Sequence, residues 1–597
     1  MVLSSGVDYP GRYNRFDIGF VDPPLVVETI VDDITLTALN ERGVVPLAGF
    51  KAALLELPFI SLVEDGAQRA VLHVSRETKS EFSEEERTKQ PSLFSVLRAL
   101  RDALPTDVPQ LGLYGAFGYD LIRQIEDLPL PAHQADDTAR ELVLYLPDQI
   151  FVFDRQRDVA QEFSYEFGFG GASTAGVPRT PVVDPFVAAP ADAQPFRDHE
   201  PGAYAALVDD AKQFFARGDL FEVVPSQVFS RPVRRAPSTV FRHLQQHNPA
   251  PYGAFMNLGG NEFLVAISPE MYVRVSGTLV ETCPISGTVA RGKDPLEDAD
   301  QILTLLSSDK DKSELTMCTD VDRNYKSLVC DPDTVRIIGR RQIELYSRVI
   351  HTVDHVVGTL REGFDGLDAF ASHMWAVTVT GAPKLWAMRF IDDHERSRRR
   401  WYGGAMGALF ANGDINTGLT LRTMQIRDGF AHVRAGGTLL NDSTPADEER
   451  ETEMKASALL EALEPAPVSQ AEGLGVRKRP SRVLLFDHED SFVHTLSGYF
   501  RTTGATVHTV RVPEGGLGAE VERLVSSFRP DLVVLSPGPG NPQTFDTAAT
   551  IKQLLPLEVP IFGVCLGHQA LGEYFGARLG QLQDPLHGKE KLTRVVG

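Results

Sequence analysis

The 597-residue sequence holds only four cysteines, Cys283, Cys318, Cys330 and Cys565. No two stand in a CxxC spacing, which excludes a disulfide framework and a cysteine-rich zinc site as organising elements. A reducing, cytoplasmic setting fits that usage. No apolar run is long enough to cross a bilayer. The opening residues, Met1-Val-Leu-Ser-Ser-Gly6, lack a basic region followed by an apolar core, so no signal peptide is expected. A basic excess is missing too: 59 Lys and Arg stand against 81 Asp and Glu, a formal charge of −22. That balance argues against nucleic acid and anionic membranes as partners. It says nothing positive about an acidic substrate, which needs a local basic pocket.

What is present is the composition of a globular chain, 42% hydrophobic and 23% charged. The length exceeds one core, and roughly three or four compact units are expected. Residues 1–165 mix strand-like runs (Leu142-Val-Leu-Tyr-Leu146, Gln149-Ile-Phe-Val-Phe153) with a helical stretch near Leu93 to Leu104. Residues 166–199 are rich in Gly, Ala, Pro and Thr and read as a loop or surface linker. Residues 200–463 alternate strands, such as Phe263-Leu-Val-Ala-Ile267 and Leu419-Thr-Leu-Arg-Thr-Met424, with charged helices. Residues 464–480 carry prolines, glycines and the basic run Arg477-Lys-Arg479 and read as an interdomain linker. From Arg482 the βα alternation of residues 481–597 predicts a parallel sheet.

Two regions carry chemistry. Ile561-Phe-Gly-Val-Cys-Leu-Gly-His-Gln569 reads as a buried strand, a sharp glycine-flanked turn and a helix start. A thiol at such a turn is exposed, and a helix N-terminus favours its thiolate. Upstream, Leu532-Val-Val-Leu-Ser-Pro-Gly-Pro-Gly-Asn-Pro542 is a strand running into a loop whose free backbone N–H groups suit an oxyanion. The plain alternative is a buried structural cysteine. In the central region, Asp311 and Glu314 share one helix face, and Glu448, Glu451 and Lys455 share another. Two such faces brought together would hold a hard cation through oxygen ligands. Each by itself reads first as a solvated helix face.

The Cys565 and Pro-Gly-Pro-Gly runs together resemble the class I glutamine amidotransferases. The resemblance implies Cys565 as nucleophile, Gly538, Pro539 and Gly540 at the oxyanion loop, and Gln569 near the glutamine. That family also needs a His and a nearby Glu well downstream of the cysteine. Only His568 and His587 follow Cys565, and neither stands in a His-x-Glu setting. Two expectations follow: the sequence is a fragment, or this half cannot hydrolyse glutamine by itself, a separate glutaminase subunit then being a candidate partner.

Pro284-Ile-Ser-Gly-Thr288, Glu314-Leu-Thr-Met-Cys-Thr-Asp-Val-Asp-Arg-Asn324, Thr380-Gly-Ala-Pro-Lys384, Tyr402-Gly-Gly-Ala-Met-Gly407 and Asp442-Ser-Thr-Pro445 occur in that order, preceded by Gly218-Asp-Leu-Phe-Glu-Val-Val-Pro-Ser-Gln227. The series resembles the chorismate-utilising enzymes, within them the large subunit of anthranilate synthase. The whole resembles a fused anthranilate synthase, synthase half first. The resemblance implies an α+β chorismate-binding fold, a two-sheet β-sandwich core with helices outside, followed by an α/β parallel-sheet amidotransferase domain. It implies Mg²⁺ held by Glu314 and Glu451, with Asp311 and Glu448 as outer carboxylates. Chorismate is expected against Gly287, Thr288, Tyr402, Arg422, Gly436, Gly437 and Thr438, the Gly436–Thr438 loop offering backbone donors to a carboxylate. His351, read on a helix, is the expected proton carrier. The implied reaction takes chorismate and ammonia or glutamine to anthranilate and pyruvate.

Related enzymes that add water place a Lys where this chain has Glu222, and those making the para isomer place one where it has Ser286. Neither Lys is present, which points to ammonia and the ortho product. A synthase that stops at aminodeoxyisochorismate, and a non-catalytic paralogue that binds chorismate or tryptophan, are the alternatives. Ser5 and the run Pro251-Tyr252-Gly253 resemble a tryptophan feedback site; turn chemistry alone would also explain them. The family also suggests a homodimer. One departure stands out: the family's Arg-Asn-Asp reads Arg323-Asn-Tyr325, which sets a bulky phenol close in sequence to the proposed cation site.

Overall fold

Two compact units make up the chain, Met1–Pro467 and Val468–Gly597. The structure, a computed structural model, describes residues 1–580 except 8, 10, 11, 14, 15, 77–82, 135, 137, 156, 158, 182–184, 465–481 and 503. Residues 465–480 of the expected linker, and His587, therefore lie outside the described residues.

In the first unit the apolar runs form strands at Leu142–Leu146, Gln149–Asp154 and Glu262–Ser268. The helix Leu93–Asp102 opens on Ser92, whose hydroxyl accepts from the Phe94 N–H at 3.3 Å. It buries Leu93, Val96, Leu97 and Leu100 along one stripe. Among the described residues the strands assemble into two large antiparallel sheets of ten and thirteen strands. Between them lies a core in which Val152, Ala254, Leu264 and Ala266 of the first sheet meet Tyr114, Val143, Tyr145 and Met406 of the second. Gly112–Phe117 is buried along its whole length because helices cover the second sheet's other face. The helices Pro237–His247 and Pro445–Leu460 close the outer face of the ten-stranded sheet.

Residues 1–165 and 200–463 interleave in both sheets: Val2–Ser4 pairs with Tyr252–Asn257, and Gly112–Phe117 with Ala405–Phe410. The two stretches fold as one unit. The segment read as a linker at 166–199 is tied to that unit. It forms the hairpin Gly168–Phe169 and Ala172–Ser173, and the buried Arg42 donates to the Thr174 and Val177 carbonyls at 2.9 and 2.8 Å. Arg42 also pairs with Asp148.

The strand read across Leu419–Met424 is broken. Ile415–Leu419 belongs to the thirteen-stranded sheet and Thr423–Arg427 to the ten-stranded one. The chain crosses from sheet to sheet at residues 420–422, and Arg422 takes a left-handed φ of 47° there. Such a φ strains a side-chain-bearing residue and tends to mark functional positions.

Among its described residues the second unit has four parallel strands in the order Thr506–Arg511, Arg482–Asp487, Leu532–Leu535, Ile561–Gly563. Leu484, Phe486, Val533 and Leu535 pack one face against the helices Glu520–Phe528, Thr547–Leu554 and Leu566–Tyr574.

Candidate active site

The site of the first unit gathers where the sheets exchange strands. Ile285–Ala290 pairs with Val349–Thr359, Thr288 lies opposite His351, and the register slips at Gly287. Gly287 has φ +81°, and a Cβ there would stand 2.9 Å from Thr352 Oγ1 and 3.1 Å from Asp311 Cβ. Only glycine lets this bulge press onto the Asp309–Val329 helix. His351 thus sits on a strand, not on the helix expected for it. It is fully buried, its Nδ1 lies 2.9 Å from Thr288 Oγ1, and its Nε2 lies 3.3 Å from Arg422 Nη2. A guanidinium only donates, so Nε2 accepts and Nδ1 carries the proton. Burial, then the Arg422 charge, push the His351 pKa down to about 3, so the ring is neutral. Burial also lowers Arg422 from its ordinary value.

Tyr402 is enclosed nearby, with its hydroxyl beside Gly436. The expected Gly436–Thr438 donors are partly committed inside the protein. The Gly437 N–H donates to Tyr204 Oη at 3.0 Å, and the Gly436 carbonyl accepts from Lys455 Nζ at 2.9 Å. Thr438 is half-buried.

The helix Asp309–Val329 is capped by Ser308 and carries Asp311 and Glu314; Pro445–Leu460 carries Glu448, Glu451 and Lys455. The two helices lie within electrostatic reach. Lys455 acts on Glu314, and Lys310 acts on Glu448 and Glu451. Burial raises Glu314, with Ser286 opposing. Burial raises Glu448, whose Oε1 accepts from the Ser443 hydroxyl at 2.7 Å. Burial would raise Glu451 as well, but Lys455, at 2.7 Å, with Lys310 and Arg422 holds it below the usual carboxylate range. Among the described residues no three acidic, His or Cys side chains converge at metal-ligating spacing. The donor set, carboxylates on two facing helices, nonetheless has the hard-oxygen chemistry a Mg²⁺ ion takes.

Two carboxyl groups complete the interior. Glu222 is fully buried, and neither oxygen has a hydrogen-bond partner among the described residues. Burial, and then Glu314, push it well above the usual range. Glu270, which the sequence reading missed, is buried too; burial raises its pKa to about 8 while Thr378 Oγ1 donates to it at 2.8 Å. The available signal was a glutamate set one proline beyond the wholly buried strand Glu262–Ser268. Tyr325 lies eleven residues, about three turns or 16 Å, beyond Glu314 on the same helix. It is buried beside the cavity that Glu270 lines, with Lys384 Nζ 3.6 Å from its ring centroid. The phenol therefore does not crowd the Glu314 end of the helix, where the cation site is expected, although its nearness in sequence suggested that it would.

Ser5, Pro251, Tyr252 and Gly253 come together around one cavity, with Leu3, Ser4, Phe16, Met406 and Asn416. In the second unit Cys565 has φ 50° at the N-terminus of Leu566–Tyr574, and its thiol is exposed. A Cβ at Gly567 would stand 2.3 Å from the Leu535 carbonyl, so the turn after Cys565 requires glycine against the neighbouring strand. Gly538 is half-buried, and Pro539, Gly540 and Gln569 are exposed.

The first unit has the fold of the chorismate-binding enzymes. The chain belongs to the chorismate binding enzyme family, whose model matches residues 59–461, and carries a class-I glutamine amidotransferase domain matched over 484–595. It is 52% identical over 602 residues to the anthranilate synthase of Azospirillum brasilense, covering all of this chain and 81% of that protein. Component 1 of anthranilate synthase from Streptomyces coelicolor is 34% identical over 401 residues, 63% of this chain and 78% of that protein. Anthranilate synthase component I from Streptococcus pneumoniae superposes with a TM-score of 0.55 at 23% identity, over 76% of this chain and 94% of that one. That last likeness bears on fold alone.

Proposed function

We propose that this chain is an anthranilate synthase, converting chorismate and ammonia to anthranilate and pyruvate with Mg²⁺, in the cytoplasm and as the first step of tryptophan synthesis. The observation that carries this reading is the convergence of Thr288, neutral His351 and Arg422 at the strand crossing, facing carboxylates on two helices. Arg422 offers the pyruvyl carboxylate a planar two-point contact. Glu270 keeps its proton at neutral pH and gives it to the departing 4-hydroxyl as ammonia adds at C2. The ammonium formed at C2 loses one proton to solvent. With Arg422 turned to the pyruvyl carboxylate, the Nε2 lone pair of neutral His351 takes the C2 proton; the C3–O bond breaks, the departing enolpyruvate takes that proton at its methylene carbon to become pyruvate, and the ring becomes aromatic. Glu314 and Glu451 would hold the Mg²⁺, with Glu448 and Asp311 around them. The ion supplies charge to neutralise the ring carboxylate and ease loss of the hydroxyl. With Glu222 where water-adding relatives carry lysine, water is not the favoured nucleophile, and with Ser286 where para-isomer enzymes carry one, the ortho product is favoured. Cys565 would attack glutamine in the amidotransferase domain once a base activates its thiol; no His-x-Glu follows it in this sequence, so free ammonia is the nitrogen source put to the test. The cavity at Ser5, Tyr252 and Gly253, apolar at Leu3, Phe16 and Met406 and polar at Ser4 and Asn416, suits tryptophan as a feedback ligand.

The test is chorismate with ammonium chloride and Mg²⁺, following anthranilate fluorescence and pyruvate together. Equal release of both supports the reading. Turnover without pyruvate would leave a synthase that stops at aminodeoxyisochorismate, and no turnover would leave a binding protein.

A further inference from the structure

A buried chain of side chains runs from the Tyr252 cavity to His351. The Tyr13 ring stands edge-on to Tyr252, with centroids 6.0 Å apart. Tyr13 Oη donates to Glu344 at 3.0 Å, and Arg12 pairs with the same carboxylate at 2.9 Å. Tyr346 Oη donates to the other Glu344 oxygen at 2.6 Å. The Tyr346 ring packs edge-on against His351, with centroids 5.4 Å apart. Glu344 lies directly opposite His351 on the paired strand, and its side chain has no solvent exposure. Tyr9 secures the same strand, accepting from the Leu345 N–H at 2.6 Å. The N-terminal segment that walls the cavity through Leu3, Ser4 and Ser5 thus also supplies Tyr9, Arg12 and Tyr13 to the strand beside His351.

We infer that Glu344 and Tyr346 are positioning residues for His351, and that Tyr13 and Arg12 couple them to the occupant of the Tyr252 cavity. A buried carboxylate held by three donors has one well-defined place, and moving any donor moves it. Close-packed interiors transmit such a shift, because they switch between arrangements more readily than they deform. A ligand that displaces the Tyr252 ring acts on Tyr13, hence on Glu344 and Tyr346, and hence on the imidazole that Arg422 and Thr288 also hold. The inference rests on tryptophan being the cavity's ligand.

Binding of chorismate is measured with and without saturating tryptophan, and binding of tryptophan alone by calorimetry, on wild type and Tyr13→Phe. The variant keeps the ring on Tyr252 and removes only the hydroxyl that holds Glu344. The expected result is that tryptophan binds both proteins within about threefold. The coupling factor, of a size commonly about 5–150-fold, should fall to near unity in the variant. Tyr346→Phe should lose the coupling as well and lower kcat while sparing the chorismate KM, a split that a merely structural role would not give. Equal coupling in wild type and Tyr13→Phe overturns the relay and leaves the cavity assignment standing. Failure of tryptophan to bind wild type overturns the cavity assignment, and the relay with it.

Discussion

Lys384 ends the Thr380-Gly-Ala-Pro motif inside the first unit, where it has no ion-pair partner among the described residues. Its Nζ donates to the Met374 carbonyl at 2.6 Å and otherwise faces the Tyr325 ring. Burial lowers its pKa from 10.5 to about 7. The folded value lies below the unfolded one, so the unfolded chain holds more protons between the two. The destabilisation is then full below about pH 7 and is relieved as pH rises towards 10.5. At about 1.4 kcal/mol per pH unit, Lys384 should make the folded unit about 3 kcal/mol more stable at pH 9.5 than at pH 7. The perturbation is Lys384→Met, which keeps the bulk and removes the amine. Trp375, Trp386 and Trp401 all lie in Met1–Pro467, so tryptophan fluorescence in urea follows that unit alone. The variant should exceed wild type clearly at pH 7, and the gap should close by about 3 kcal/mol by pH 9.5. An unchanged gap at both pH values would show that the amine keeps its charge while buried, refuting the reasoning.

Glu314→Gln or Glu451→Gln should abolish Mg²⁺-dependent turnover without unfolding, with calorimetry showing Mg²⁺ affinity weakened at least about tenfold, or about 1.4 kcal/mol. Near wild-type turnover at limiting Mg²⁺ would remove these residues from the metal site. Tyr325→Asp should leave the Mg²⁺ requirement unchanged, since Tyr325 lies about 16 Å along the helix from Glu314; a shifted Mg²⁺ titration would contradict that placement. Iodoacetamide should label Cys565 and spare the buried Cys283, Cys318 and Cys330 in the native protein, as mass spectrometry of the digest will show. Gly418→Ala sets a Cβ 2.5 Å from the Tyr252 ring. It should cost about 1–3 kcal/mol in stability and weaken tryptophan binding in calorimetry.

The motifs made the candidate-site residues legible because each carries its chemistry locally: a glycine at the bulge beside Thr288, carboxylates at helical spacing, a cysteine between a strand and a helix. The strands Leu142–Leu146 and Glu262–Ser268 were legible from apolar runs. Pairing between distant strands was not, because hydrogen bonds such as those joining Val2–Ser4 to Tyr252–Asn257 leave no local pattern. The same gap hid the break at Arg422: residues 419–424 have strand composition, but they serve two different sheets. Glu270 was missed because a single glutamate after a buried strand has no periodic partner. Tyr325 was read as a neighbour of the cation site because eleven residues are close in sequence, while a straight helix carries them about three turns apart.

The most direct measurement of the central claim is the isotopic content of the product formed from chorismate, Mg²⁺ and [¹⁵N]ammonium by the purified chain. The account predicts anthranilate carrying one ¹⁵N per molecule, with an equal amount of pyruvate. Isochorismate, an unlabelled product, or labelled aminodeoxyisochorismate accumulating without pyruvate would contradict it.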